Sequence, residues 1–299
     1  EFKIARNRVN AVIRSAKRRY FQGKFFDARF NPRETWELIN TFRGHTSRQP
    51  ISASLQKHFG TDLQSTVEHF NKYFAASSGI ARHHNVTSAS EGGDDRAAGS
   101  AFLPPLNMFA LRSLLFSIKR NKTPGIDDIR VGDLVRNFVF IKEVLLAMIN
   151  AFLLSGNIPT ALKTALVKPL FKGGAPDRHE SYRPISILPC TAEILEKHLF
   201  TVMSGFIDKY DILSRSQYGF VTGRGTQPLL EDFTDLIYGA FENNLFACAL
   251  FLDMAKAFDT VSHKLLLRKL YRFGFRGPFF AILENFFLER FQVVSVGGF

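Results

Sequence analysis

The alternation of apolar and polar positions divides the chain into helical and extended stretches. Residues 3–30 place Val9, Val12, Ile13, Ala16 and Tyr20 on one helical face, with Arg6, Arg8, Arg14, Lys17, Arg18, Arg19 and Lys24 around the rest. A basic amphipathic helix is predicted. Its charge describes either a solvated face or, because so few acids are interleaved, a phosphate-contacting one. Asn31-Pro32 restarts a helix as N-cap and first-turn proline, with Trp36 and Ile39 inside and Gly44 as the stop. Thr61 is placed to cap a further helix presenting Leu63, Val67, Phe70 and Phe74. From Ala75 to Ser100 the pattern dissolves into Ser, Gly, Ala and mixed charge, which predicts a linker. His83-His84 within it lacks further ligands nearby and reads as incidental to metal binding.

A second body is predicted from about Pro104. Leu111, Leu114, Leu115 and Ile118 form a helical stripe, and Thr123-Pro124-Gly125 forces a turn before Asp127-Asp128. Ile141–Leu154 is a helix closed by Gly156 and Pro159. Ala165–Phe171 reads as a strand running into the loop Lys172-Gly173-Gly174, and Tyr182–Leu188 as another strand. Glu193–Tyr210 is helical, with Ile194, Leu195, Leu199, Val202 and Phe206 as core positions. A glycine-rich stretch, residues 218–226, leads into a helix over about 228–241. A Phe-rich helix from Pro278 and a last strand, Gln292–Val296, follow.

Leu245–Leu252 is a continuous apolar run, short enough for a strand buried on both faces, and it ends on Asp253. A carboxylate at the exit of such a strand suits a hard divalent cation, so Asp253 is a candidate metal ligand. Val261, Leu265, Leu266 and Leu270 then recur at helical spacing, with Asp259 placed to cap that helix or brace the site. Taken alone, these residues equally describe a strand, an Asp-capped turn and a core helix.

Composition narrows the partners. The 299 residues are 45% apolar, enough for one large core or two smaller ones. A net charge of +12 favours a polyanion such as nucleic acid, although a merely soluble basic protein carries the same charge. Cys190 and Cys248 both lie in apolar surroundings, which supports neither a disulfide framework nor a cysteine zinc site and fits a reducing compartment. The best apolar stretch, 138–154, is interrupted by Lys142 and Glu143, so no membrane span is expected. The chain opens on Glu1 and closes within a strand-and-turn pattern, as expected of a fragment.

Four stretches occur in one order: Lys122-Thr123-Pro124-Gly125-Ile126-Asp127-Asp128-Ile129; Tyr182-Arg183-Pro184-Ile185-Ser186-Ile187-Leu188; Gln217-Tyr218-Gly219-Phe220 with Gly223-Arg224-Gly225-Thr226; and Phe251 to Asp259. Together they resemble the reverse transcriptases of non-LTR, LINE-type retrotransposons of the jockey kind, from about Phe102 onward. The resemblance implies an α+β fold: a partial right-hand polymerase, with fingers over about 100–230 and an incomplete palm from about 240. It divides the chain into a basic helical extension (1–74), a linker (75–103) and the polymerase part (104–299).

The resemblance also assigns roles. Asp253 is the first carboxylate of a two-metal magnesium site that activates a primer hydroxyl and steadies the leaving oxygen, with the Met254 carbonyl as a further ligand and Asp259 in support. Phe258 is similar to the steric gate that excludes a ribose 2′-OH; a buried core phenylalanine is the alternative. Arg183 precedes a proline and so sits on an extended segment able to offer its fork to a triphosphate. Lys168 and Lys172 are second phosphate contacts or ordinary surface charges. Gly223, Arg224 and Gly225 resemble a template-contacting segment, or form a loop with no ligand. The implied partners are an RNA template, a DNA primer and dNTPs, without a membrane or an organic cofactor.

The family's later Pro-Gln-Gly-Ser and Ala-Asp-Asp segments have no counterpart, and Asp94-Asp95 and Asp127-Asp128 follow no apolar strand. The chain by itself is therefore expected to hold metal poorly and to lack polymerase activity. Two rival readings remain: a non-catalytic nucleic-acid-binding remnant, and a group II intron-type reverse transcriptase and maturase.

Overall fold

The computed structural model describes residues 2–31, 34–36, 38–39, 55, 59, 62–79, 99–254 and 257–296. Pro32, Gly44, Thr61, His83-His84, Asp94-Asp95 and most of the expected linker lie outside the described residues. The chain divides into two compact units, residues 1–60 and 61–299.

In the first unit, helix α1 spans Phe2–Asp27, as its 3.6-residue periodicity predicts. Its apolar positions Val9, Val12, Ile13 and Tyr20 are exposed. Asn31 caps the next turn, its Oδ1 accepting from the Glu34 amide at 3.4 Å and its carbonyl from the Thr35 amide at 3.0 Å. Trp36, expected inside, is exposed.

The second unit is a mixed α+β body around a three-stranded sheet. Helix α2 (Leu63–Gly79) starts at Asp62, whose Oδ1 accepts from the Ser65 amide at 2.6 Å. Asp62 thus acts as an N-cap acceptor for this helix. Phe70 and Phe74 of α2 are buried, as predicted. The Phe70 ring lies 4.8 Å from His179 and 5.1 Å from Tyr182. Burial holds the His179 imidazole below its ordinary range.

Helices α3 (Met108–Ser117), α4 (Val131–Arg136), α5 (Phe138–Ser155) and the single turn α6 (Thr160–Lys163) lead to strand β1 (Thr164–Phe171). Strand β2 (Tyr182–Ile187) returns antiparallel to β1, and helix α7 spans Cys190–Lys209. Helices α8 (Thr226–Glu242), α9 (His263–Arg272) and α10 (Gly277–Phe287) precede strand β3 (Phe291–Val294). The sheet order is β2-β1-β3, with β3 parallel to β1. One core joins α3, α5, α7 and α10 through Leu111, Leu115, Ile149, Ile194, Phe279 and Ile282, each at most 1% exposed, and α9 adds Leu270 to it at 9%.

Local chemistry explains several boundaries. Gly156 closes α5 in the left-handed region at φ 67°, where a Cβ would stand 2.9 Å from Ala281, so glycine both ends α5 and lets α10 approach. Asn150, inside α5, clamps Leu106 with bonds to its amide at 2.7 Å and its carbonyl at 2.9 Å. α5 is long and apolar enough to cross a membrane, but its Phe138, Leu145, Ile149 and Leu153 belong to this core. α7 begins at Cys190, three residues before the expected Glu193, because Pro189 already sets up the first turn.

Three expectations fail between 226 and 272. Residues 245–252 form no strand, and Leu245, Phe246, Leu250, Phe251 and Leu252 are exposed. Apolar composition supplies no ladder partner: both edges of β1 are occupied by β2 and β3, and the 245–252 run pairs with neither. Cys248 is accordingly exposed, while Cys190 is buried. Helix α9 is capped by Ser262, whose Oγ accepts from the Leu265 amide at 3.4 Å, so Asp259 is not its cap.

Candidate functional site

The β1–β2 hairpin gathers the three cations singled out from sequence. Side chains alternate along a strand, and directly opposed residues of an antiparallel pair share a face. Lys168 opposes Ile185 and Leu170 opposes Arg183. The Lys172 amide donates to the Ser181 carbonyl at 2.8 Å, carrying the pairing one step further. Arg183 is therefore the diagonal neighbour of both Lys168 and Lys172, with Cβ separations of about 7–8 Å or somewhat less. All three are exposed, while Ala165 and Val167 on the opposite face are buried. Among the described residues no carboxylate pairs with any of the three. Three like charges converging on one face repel one another until an anion joins them. Pro184 keeps Arg183 extended and, opposite Pro169, removes ladder donors without disturbing the register.

The first and second motifs pack on each other. A Cβ added at Gly125 would lie 2.6 Å from the Pro189 nitrogen, 2.8 Å from the Leu188 carbonyl carbon and 2.9 Å from the Pro189 Cα. The turn after Pro124 thus touches the backbone leaving β2 directly. Cys190 Sγ donates to the Ile129 carbonyl at 3.6 Å, and Lys122 Nζ pairs with Glu193 Oε2 at 2.5 Å. Burial pushes the Cys190 thiol up to about 11. Behind Glu193, desolvation raises the Glu196 carboxyl against the pull of Arg290. Sequence reading found this glycine as a turn former; its contact with a segment sixty residues on carries no local signal. Asp127 accepts from the Ile129 amide at 3.2 Å, which gives it a turn-forming role.

In the third motif Arg224 ties its own loop together. Its Nη1 donates to the carbonyls of Ser214, Arg215 and Gln217 at 3.2, 3.0 and 3.1 Å. Gly223 adopts φ 75°, which favours glycine, whereas Gly225 is extended at φ 172°. Both stand clear of other atoms. Tyr218 donates to Asp232, which raises its phenol's pKa.

The fourth motif meets the third through one ring contact. Phe258 lies edge-on to Phe220 at 5.9 Å, and both rings are exposed, so Phe258 is not a core residue. Asp253 and Met254 are exposed in non-repetitive backbone. Asp259 lies in the turn at 257–260. No hydrogen bond, ion pair or ring contact links 253–259 to the hairpin among the described residues. Asp253 and the Met254 carbonyl are hard oxygen donors of the type magnesium takes, yet the described residues hold no group of three His, Cys, Asp or Glu side chains able to share an ion. By themselves they do not fit a two-metal centre.

Comparison with known proteins gives a similarity at the level of class first. Residues 172–298 match the reverse transcriptase (RNA-dependent DNA polymerase) family. More particular relatives follow. Over 199 residues the chain is 30% identical to the RNA-directed DNA polymerase from mobile element jockey of Drosophila melanogaster, covering 66% of this chain and 22% of that protein. It is 29% identical over 195 residues to a probable RNA-directed DNA polymerase from transposon BS of the same fly, 65% of this chain and 21% of that protein. An uncharacterized 149 kDa protein of transposon TX1 from Xenopus laevis is 25% identical over 197 residues, 64% of this chain and 14% of that protein. The chain is thus similar in sequence to these jockey-like proteins, in keeping with the resemblance of its four motifs, and it spans about a fifth of the length of the two fly proteins.

Proposed function

We propose that this chain is the fingers and the first part of the palm of an RNA-directed DNA polymerase that copies a retrotransposon transcript. The observation that carries the reading is the triangle of Lys168, Lys172 and Arg183 on one face of the β1–β2 hairpin, with which no carboxylate pairs among the described residues. A dNTP triphosphate is the anion that this face suits, with Arg183 offering a bidentate fork and the lysines point charges. Phe258 serves as the gate against a 2′-OH, and the loop of Gly223, Arg224 and Gly225 meets the RNA template beside the DNA primer. Asp253 and the Met254 carbonyl supply the first ligands for magnesium, braced by Asp259, and further carboxylates complete the centre. The boundaries proposed are a basic extension over 1–74, a linker over 75–103 and the polymerase part over 104–299.

Primer extension tests this on a poly-rA/oligo-dT template with dTTP and magnesium, comparing the 299-residue chain with a longer polypeptide carrying the downstream sequence of its relatives. Extension by the longer protein alone, abolished by Asp253→Asn, is the expected result. The exposed 245–254 segment favours one second reading, a nucleic-acid-binding remnant. No extension by either protein, with salt-sensitive RNA binding by both, would establish it.

A further inference from the structure

We infer that the C-terminal end of α3, the turn that follows it and the N-terminal half of α7 form a second phosphate site, which holds the backbone of single-stranded RNA away from the hairpin face. The choice of RNA rests on the polymerase reading above. An open pocket of about 550 Å³ is lined by Lys119, Asn121, Lys122, Thr123, Glu193 and Lys197. Three ammonium groups face one carboxylate, so two positive charges are left over at neutral pH.

Lys119 follows the C-terminus of α3, where a cation complements the helix dipole, and that alone would explain it. The dipole explains neither Lys122, four residues beyond the cap, nor Lys197 in the middle of α7. Both are held in place: Lys197 Nζ donates to Ser117 Oγ at 2.9 Å, and Lys122 Nζ pairs with Glu193 at 2.5 Å. An ammonium has three donors, so each keeps donors for a ligand. The walls are rigid, because Leu115, Ile118, Ile194 and Leu195 beneath them are at most 4% exposed. Lining of this polarity suits a charged group, where a small-molecule site is mostly apolar. The open mouth suits a strand passing through.

Phosphate contacts set register without reading sequence. Here that register would be transmitted: Gly125, just past Thr123, abuts Leu188 and Pro189 at the exit of the strand bearing Arg183. A strand seated in the pocket is thereby held at a fixed offset from the hairpin.

The test uses the 299-residue chain and a 5′-fluorescein 20-nucleotide RNA, with anisotropy read from 50 to 300 mM NaCl. Lys119→Gln/Lys197→Gln is compared with Lys142→Gln/Lys264→Gln, which removes the same charge elsewhere. Two lost phosphate contacts lower the slope of log K against log salt by about 1.4 and weaken binding about 25-fold at 0.1 M salt. Lys119 makes no side-chain bond among the described residues, so Lys119→Gln alone, which leaves packing intact, gives about half the slope change and about 5-fold. Identical slopes and affinities for the two double variants would overturn the site. So would pyrophosphate binding, read by isothermal titration calorimetry, that Lys119→Gln abolishes while the RNA slopes stay equal, since the pocket would then serve free phosphates. Failure of primer extension by the longer protein leaves this binding result untouched and bears on the polymerase reading alone.

Discussion

Gly125→Ala is the sharpest test of how the motifs are assembled. Its φ lies outside the left-handed region, so alanine meets no backbone penalty and the entire cost is steric. The added methyl would lie 2.6–2.9 Å from three backbone atoms of Leu188 and Pro189, none of which can rotate away as a side-chain tip would. Overpacking costs typically about 1–3 kcal/mol, and backbone on both sides puts this case near the top, at about 3 kcal/mol. For a unit of about 240 residues that lowers the melting temperature by about 6–12 °C. Urea unfolding followed by circular dichroism at 222 nm reads the loss as a lower midpoint at unchanged slope. Gly219→Ala is the control: its Cβ meets nothing within 4 Å and its φ is ordinary, so less than about 0.5 kcal/mol is expected. Equal stability of the two variants would refute the close approach of the turn to β2.

Other outcomes follow from single contacts. At pH 8 one thiol per chain, Cys248, reacts promptly with Ellman's reagent, and Cys190 reacts only on unfolding, because its thiol is pushed up to about 11. Since the unfolded thiol ionises near 9, stability falls as pH rises from about 9 toward 11, and Cys190→Ala flattens that decline in a pH series of urea melts. Asn285 accepts from the Ile158 amide at 2.9 Å and from the buried Lys163 ammonium at 3.3 Å, so Asn285→Ala should cost about 3 kcal/mol by urea melting, and Lys163→Met in that background should restore part of it. Ser262→Ala should cost about 1 kcal/mol through loss of the α9 cap, whereas Asp259→Ala should leave melting unchanged; the reverse order would return the cap to Asp259.

Sequence periodicity recovered what is local. α1, α3, α5 and α7 follow their apolar stripes, and Gly156 marks the end of α5 as expected. Lys168, Lys172 and Arg183 could be grouped because a hairpin with a period of two fixes which residues share a face. Whatever depends on a distant partner was hidden. Leu245–Leu252 has the composition of a buried strand, but composition names no neighbour, and these residues are exposed. Gly125 reads as a turn glycine, and nothing nearby announces Pro189. Lys197 looks like a solvated helix position until Ser117 and Lys119 are seen beside it.

The parallel pairing of β1 with β3 sets an order on synthesis. β1 and β2 leave the ribosome as a hairpin, and a two-stranded ribbon alone is marginal in water. The third strand begins at Phe291, 104 residues after β2 ends at Ile187. At about 5–20 residues per second that is a wait of roughly 5–20 s. Throughout it, the edge of β1 that later pairs with Phe291–Val294 offers its amides and carbonyls to any passing strand. The nascent chain is therefore most exposed to misassembly at the strand that carries Lys168, and pausing or chaperone capture between 187 and 291 would govern the yield of native protein.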